Sequence, residues 1–198
     1  MGRRLGETTD NPAPEALERQ SQQLWLSVEV LVEGYRARGR ITRQLGAARL
    51  VDLLNGSDAP FLSLVDAEVT TLGATGAEAV TCQVAYLGRA AICLAIPLQN
   101  APSPPEAPVK SFDYVEKVPH EVVVMLPCFQ VRGMIHLPEG VGVDQAPFLH
   151  RPAFVPMTSA VALYIPHPDL VWRSEVIIVN MAKAQVYCCG PLPPSSRS

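Results

Sequence analysis

Two runs of alternating side chains around a glycine constrain this chain more than any other feature. Val28, Val30 and Val32 alternate with Glu29, Leu31 and Glu33. Gly34 then offers a turn, and Tyr35, Ala37, Gly39 and Ile41 alternate with Arg36, Arg38 and Arg40. A period of two sends successive side chains to opposite faces of a strand, so the stretch predicts a hairpin. One face of its second strand is small or apolar and the other is cationic. Gly39 in mid-strand marks a bulge, a bend or a close backbone approach.

The pattern returns at Val122 to Ile135. Aligning Gly39 with Gly133 gives an offset of 94 (133 − 39), which also pairs Val28 with Val122, Val30 with Val124, Tyr35 with Phe129, Arg38 with Arg132 and Ile41 with Ile135. Further on, Phe61 matches Phe154 and Ala67 matches Ala160 at 93 (154 − 61), and Arg89, Ala90 and Ile92 match Lys183, Ala184 and Val186 at 94 (183 − 89). Three blocks in one order at nearly constant spacing predict a tandem duplication. The fold class expected is all-β with minor α: two tandem small five-stranded barrel-like or sandwich repeats and a short N-terminal helix.

Residues 1–12 are polar and expected to be disordered. Residues 13–100 form the first β repeat, opened by a helix from Pro14 that places Leu17 and Leu24 on one face. Within it, Ala47 to Asn55 predicts a second short helix stopped at Gly56. Phe61 to Val69 predicts the third strand, and Ala79 to Tyr86 with Ala90 to Ile96 a hairpin. Ala101 to Pro108 holds four of the 19 prolines, so 101–112 reads as a stiff, exposed linker. Residues 113–189 form the second, more divergent repeat: a hairpin over Glu121 to Leu137, a strand near Phe154 to Ile165 and a hairpin near Glu175 to Cys188. Pro156 puts its strand at a sheet edge or a bulge. The Pro/Ser-rich tail, 190–198, is expected to be disordered.

Charged residues make up 18% of the chain and the net charge is −3, so no overall basic field drives nucleic-acid binding. The Ala90 to Leu98 run is too short to span a bilayer and no apolar run follows Arg3 and Arg4, so no membrane insertion or secretory signal is expected, and the chain reads as cytoplasmic. Five cysteines without paired spacing read as reduced thiols; in the Cys188-Cys189 pair, one side chain should be buried and the other exposed. His120, His136, His150 and His167 lack ligand spacing, so no metal and no cofactor is expected. No nucleophile motif or paired-carboxylate pattern occurs, which predicts a protein that is not an enzyme.

The blocks Val30 to Gly39, Arg49-Leu50-Val51-Asp52-Leu53-Leu54-Asn55 and Phe61 to Val69 resemble a small bacterial β-domain family with a pattern close to RLsDlLN followed by FxxLxDAxV. The resemblance covers Val28 to Ile96, and the second copy loses the RLsDlLN block and the aspartate. It implies no activity and no site residues. A helix followed by five short strands is also similar to Sm-like barrels, which lack a helix between their second and third strands.

The sharpest chemical candidate is Arg36, Arg38 and Arg40, with Arg43 beyond them, as a binding face for phosphate, nucleic acid or an acidic partner. A solvated face balanced by Glu29, Glu33 and Glu68 is the favoured alternative. Aromatic residues, at 6%, are sparse for base stacking. The expected function is therefore a non-catalytic scaffold or protein-interaction module, acting by self-association or with a protein partner. Nucleic-acid or anionic-ligand binding through the arginine stripe is second.

Overall fold

A computed structural model of the protein describes residues 25–42, 49–56, 59–74, 76, 78–98, 116–145 and 152–190. The 1–12 segment, the helix expected from Pro14, Arg43, the 101–112 linker and the tail beyond Gly190 lie outside the described residues.

Ten strands form one open antiparallel sheet. They are β1 (Trp25–Val32), β2 (Tyr35–Thr42), β3 (Phe61–Thr71), β4 (Val80–Gly88), β5 (Ile92–Pro97), β6 (Lys117–Met125), β7 (Phe129–Pro138), β8 (Phe154–Tyr164), β9 (Val171–Asn180) and β10 (Val186–Cys189), with one helix, α1 (Leu50–Asn55), between β2 and β3. The spatial order is β10-β6-β7-β8-β9-β5-β1-β2-β3-β4. The all-β expectation therefore holds at the level of strands, and the ten strands join across β5 and β9 in a single sheet.

The alternation around Gly34 does form a hairpin, pairing Val30 with Ala37 and Val28 with Gly39, and Val124 pairs with Val131 and Val122 with Gly133 in the β6/β7 hairpin. The β2/β3 register shifts between Arg38 and Arg40, and the β7/β8 register shifts between Arg132 and Met134. At each shift two residues, one of them left-handed, oppose a single glycine. Asp66 (φ 49°) and Ser159 (φ 48°) take the left-handed conformation, which short polar side chains tolerate better than most. The bulge presses the neighbouring backbone onto the glycine. A Cβ on Gly39 would lie 3.0 Å from the Val65 carbonyl oxygen, and one on Gly133 would lie 3.0 Å from the Thr158 carbonyl oxygen.

The two expected hairpins at the ends of the halves do not form. β4 pairs with β3, whereas β5 pairs with β1 and β9. Likewise β9 pairs with β8 and β5, and β10 pairs with β6. A turn of 3-10 helix, Arg89–Ala91 after β4 and Met181–Lys183 after β9, lifts the chain away from the strand it has just left. Each turn is anchored at its first amide: Arg89 N–H donates to the Pro60 carbonyl at 2.9 Å, and Met181 N–H donates to the Ala153 carbonyl at 2.7 Å. These turns lie 92 apart (181 − 89), which replaces the spacing of 94 expected for Arg89, Ala90 and Ile92. Pro156 lies in the interior strand β8, not at a sheet edge, but β7 stops pairing at Thr158, so the proline sits beyond that ladder.

Two apolar clusters interlock across the sheet. One gathers Phe129, Leu137, Met157 and Ile177 but also takes Leu31, Cys93, Leu94 and Ile96. The other gathers Val28, Leu53, Leu64 and Ile92 but also takes Phe154 and Ile178. α1 buries Leu50, Leu53 and Leu54, the apolar positions that predicted it, and ends where Gly56 N–H donates to the Asp52 carbonyl at 2.7 Å. The Asn55 side chain then brackets the start of β8, donating to the Phe154 carbonyl at 2.8 Å and accepting from the Phe154 amide at 3.0 Å. No helix among the described residues is long and apolar enough to cross a membrane.

Candidate interaction surface

The arginine stripe is engaged within the sheet. Arg38 Nε donates to Glu29 Oε2 at 2.5 Å, while Glu29, only 2% exposed, also accepts from the Trp172 indole N–H. Arg40 pairs with Asp66 and stacks over the Trp25 ring at 5.2 Å. Arg36 Nε donates to Thr70 Oγ1 at 3.1 Å. Arg132 meets Glu121 at 2.7 Å, so the acidic balance extends to the second half. Glu33 is taken by Lys183 at 2.9 Å, and Glu68 stands opposite Arg38 on β3. The stripe residues share one face as expected, and each described arginine of the stripe has a polar partner.

Among the described residues no group of three or more His, Cys, Asp or Glu side chains could hold a metal ion. His136 meets Thr158 Oγ1 at 2.9 Å, and His167 stacks on Tyr164. Burial pushes the Cys93 thiol up to about 11 and raises Cys128 as well, so both are protonated and poor nucleophiles at neutral pH. Lys183 is raised chiefly by its hydrogen bond to Glu33, which keeps it a cation. Cys189 is exposed and Cys188 half-buried, where full burial of one was expected; on an outermost strand neither face is fully covered.

The remaining surface feature is the pair of sheet edges. Among the described residues, no strand pairs with the outer side of β4 or of β10. Neither strand carries a charged residue or a proline, two of the devices that blunt an edge, although β10 is only four residues long, itself another such device. Large apolar side chains stand exposed there instead: Val80, Val84 and Tyr86 on β4, Phe61 on the adjoining β3 and Val186 on β10. Sequence reasoning missed this surface because it assigned β4 and β5, and β9 and β10, to each other. The signal that was present is the absence of charge from Val80 to Gly88 and from Val186 to Cys189.

No family model, curated protein or solved structure matches the chain. The resemblance carried by Arg49 to Asn55 and Phe61 to Val69 therefore identifies no family.

Proposed function

We propose that this protein is a non-catalytic assembly module, built as a tandem pair of five-stranded units and acting through the two open edges of its sheet. The observation that carries this reading is the combination, among the described residues, of outer strands with no partner on their outer side, exposed apolar side chains and no charge on β4 and β10. An unblunted edge offers a row of backbone donors and acceptors that another chain satisfies by strand addition.

The tandem reading is supported by the matching order β5-β1-β2-β3-β4 and β10-β6-β7-β8-β9. It is also supported by bulges at Asp66 and Ser159, 93 apart (159 − 66). Two anchoring bonds correspond too: Leu72 N–H to the Gly34 carbonyl, and Ile165 N–H to the Cys128 carbonyl.

Light scattering on the chain purified from its own cells tests the function. The expected result is a particle heavier than the 21.4 kDa chain, returned to that mass by Tyr86→Glu combined with Val186→Glu. A strict monomer with no co-purifying partner contradicts the proposal.

A second reading, binding of an anionic ligand at Arg36, Arg38 and Arg40, is favoured by one observation: the Arg38 and Arg40 side chains remain 46% and 45% exposed beside their acids. It ranks second because a phosphate would have to displace Glu29 and Asp66. An electrophoretic shift series against salt decides it, since a stripe that contacts phosphates gives a salt slope that its loss flattens.

A further inference from the structure

We propose that the occupant of these edges is a second copy of this chain, with β10 of one copy pairing antiparallel with β4 of the next, so that the copies close head to tail into a ring. The inference rests on the assembly reading above and names its partner.

The template is the seam inside the chain. β5 and β9 pair there through Leu94 with Val179 and Ala95 with Ile178. The counterpart of β5 is β10, because Ala95 faces Val30 on β1 as Tyr187 faces Val124 on β6, a shift of 92 (187 − 95) between strands whose own shift is 94 (124 − 30). The counterpart of β9 is β4, because Phe154 pairs with Asn180 as Phe61 pairs with Gly88, again a shift of 92 (180 − 88). The two strands that meet at the seam are thus the counterparts of the two strands that lie outermost among the described residues.

Burial follows the same correspondence. Ile178, covered at the seam, is 2% exposed, whereas its counterpart Tyr86 is 71% exposed. Phe154 is 4% exposed against 57% for Phe61, and Leu94 0% against 50% for Val186. The Ile178/Tyr86 and Leu94/Val186 differences lie on the strands that pair at the seam, whereas Phe154 on β8 is covered by α1, which shares its cluster and brackets it through Asn55. Carrying the seam register outward sets Val186 against the next copy's Leu87, Tyr187 against its Tyr86, Cys188 against its Ala85 and Cys189 against its Val84. No like charges meet in this pairing, since neither strand has a charged residue. A contact between two different surfaces is heterologous and must close into a ring or run on as a filament. The register shifts opposite Gly39 and Gly133 are the kind of bulge that bends its own strand, and curvature repeated through one joint is what a ring needs.

The test mixes two single variants of the full chain, Tyr86→Glu with a blocked β4 edge and Val186→Glu with a blocked β10 edge, both at exposed positions and both checked for an unchanged far-ultraviolet circular dichroism spectrum. By light scattering the parent chain is expected at one discrete multiple of 21.4 kDa, each variant alone as a monomer, and the mixture as a 1:1 dimer. Self-association of either variant alone points to like edges meeting and overturns the proposal, as does an unlimited filament of the parent chain. A parent chain that is monomeric by itself but held by a different protein through these edges overturns this inference while leaving the assembly reading intact. A monomer with no partner, unaffected by either variant, overturns both.

Discussion

Gly39 and Gly133 show how much one missing Cβ decides. Each faces a bulge whose backbone comes within 3.0 Å of where a Cβ would stand, so Gly39→Ala is expected to cost about 1–3 kcal/mol, as overpacking does, measured by urea unfolding; an unchanged midpoint would contradict the close-approach account. The glycine itself was legible in the sequence, since a glycine inside an alternating strand has few other uses. Glu29 was legible only in part: its pairing with the arginine stripe followed from the strand pattern, but its burial depends on Trp172, 143 residues away, and no local pattern reports such a partner. Cys93 makes a prediction about pH. Burial raises its thiol from 9.0 to about 11, so the unfolded chain loses this proton first. The stability linked to Cys93 is complete below about pH 9 and is lost as pH rises from there towards 11. Urea unfolding at a series of alkaline pH values should show that fall in the parent chain and a shallower one in Cys93→Ala; equal slopes would count against the assignment.

Among the elements, α1 does more than cap one end of a sheet. Its six residues are too few to hold a helix by themselves, so it depends on buried Leu50, Leu53 and Leu54 and on the two bonds from Asn55 to Phe154. Asn55→Ala should cost about 1–3 kcal/mol by leaving buried backbone groups of β8 without partners, with faster amide hydrogen exchange at Phe154 as the specific readout. Protection at Phe154 equal to that of the parent would show that the bracket is dispensable. The existence and approximate limits of the strands were legible because alternation is a local property. Their partners were less so. Leu87-Gly88-Arg89 carries the signals of a tight turn, yet Arg89–Ala91 forms a 3-10 turn, and the following strand crosses to β1 and β9. What selects that route is the anchoring of the Arg89 amide on Pro60 and the burial of Ile92 to Ile96, both long-range effects.

For the whole molecule, the internal echo predicted two separate units, and the pairing of β5 with β9 that joins all ten strands in one sheet was no part of that expectation. That seam buries Leu94 and Ile178, whereas the corresponding Val186 and Tyr86 at the two ends of the sheet stand exposed. Among the described residues no strand covers the outer side of β4 or β10, and under the proposal these two strands pair between copies in the register of the seam. Directly opposed residues in an antiparallel pair have Cα atoms roughly 4.5–5.5 Å apart, within the span a disulfide bridges. The most direct measurement is therefore oxidative cross-linking of the Val84→Cys chain, followed by peptide mass spectrometry. The account predicts an intermolecular disulfide between position 84 of one copy and Cys189 of another, abolished when Cys189→Ala is added. Intermolecular disulfides joining position 84 to position 84, or no cross-link at all, would contradict it.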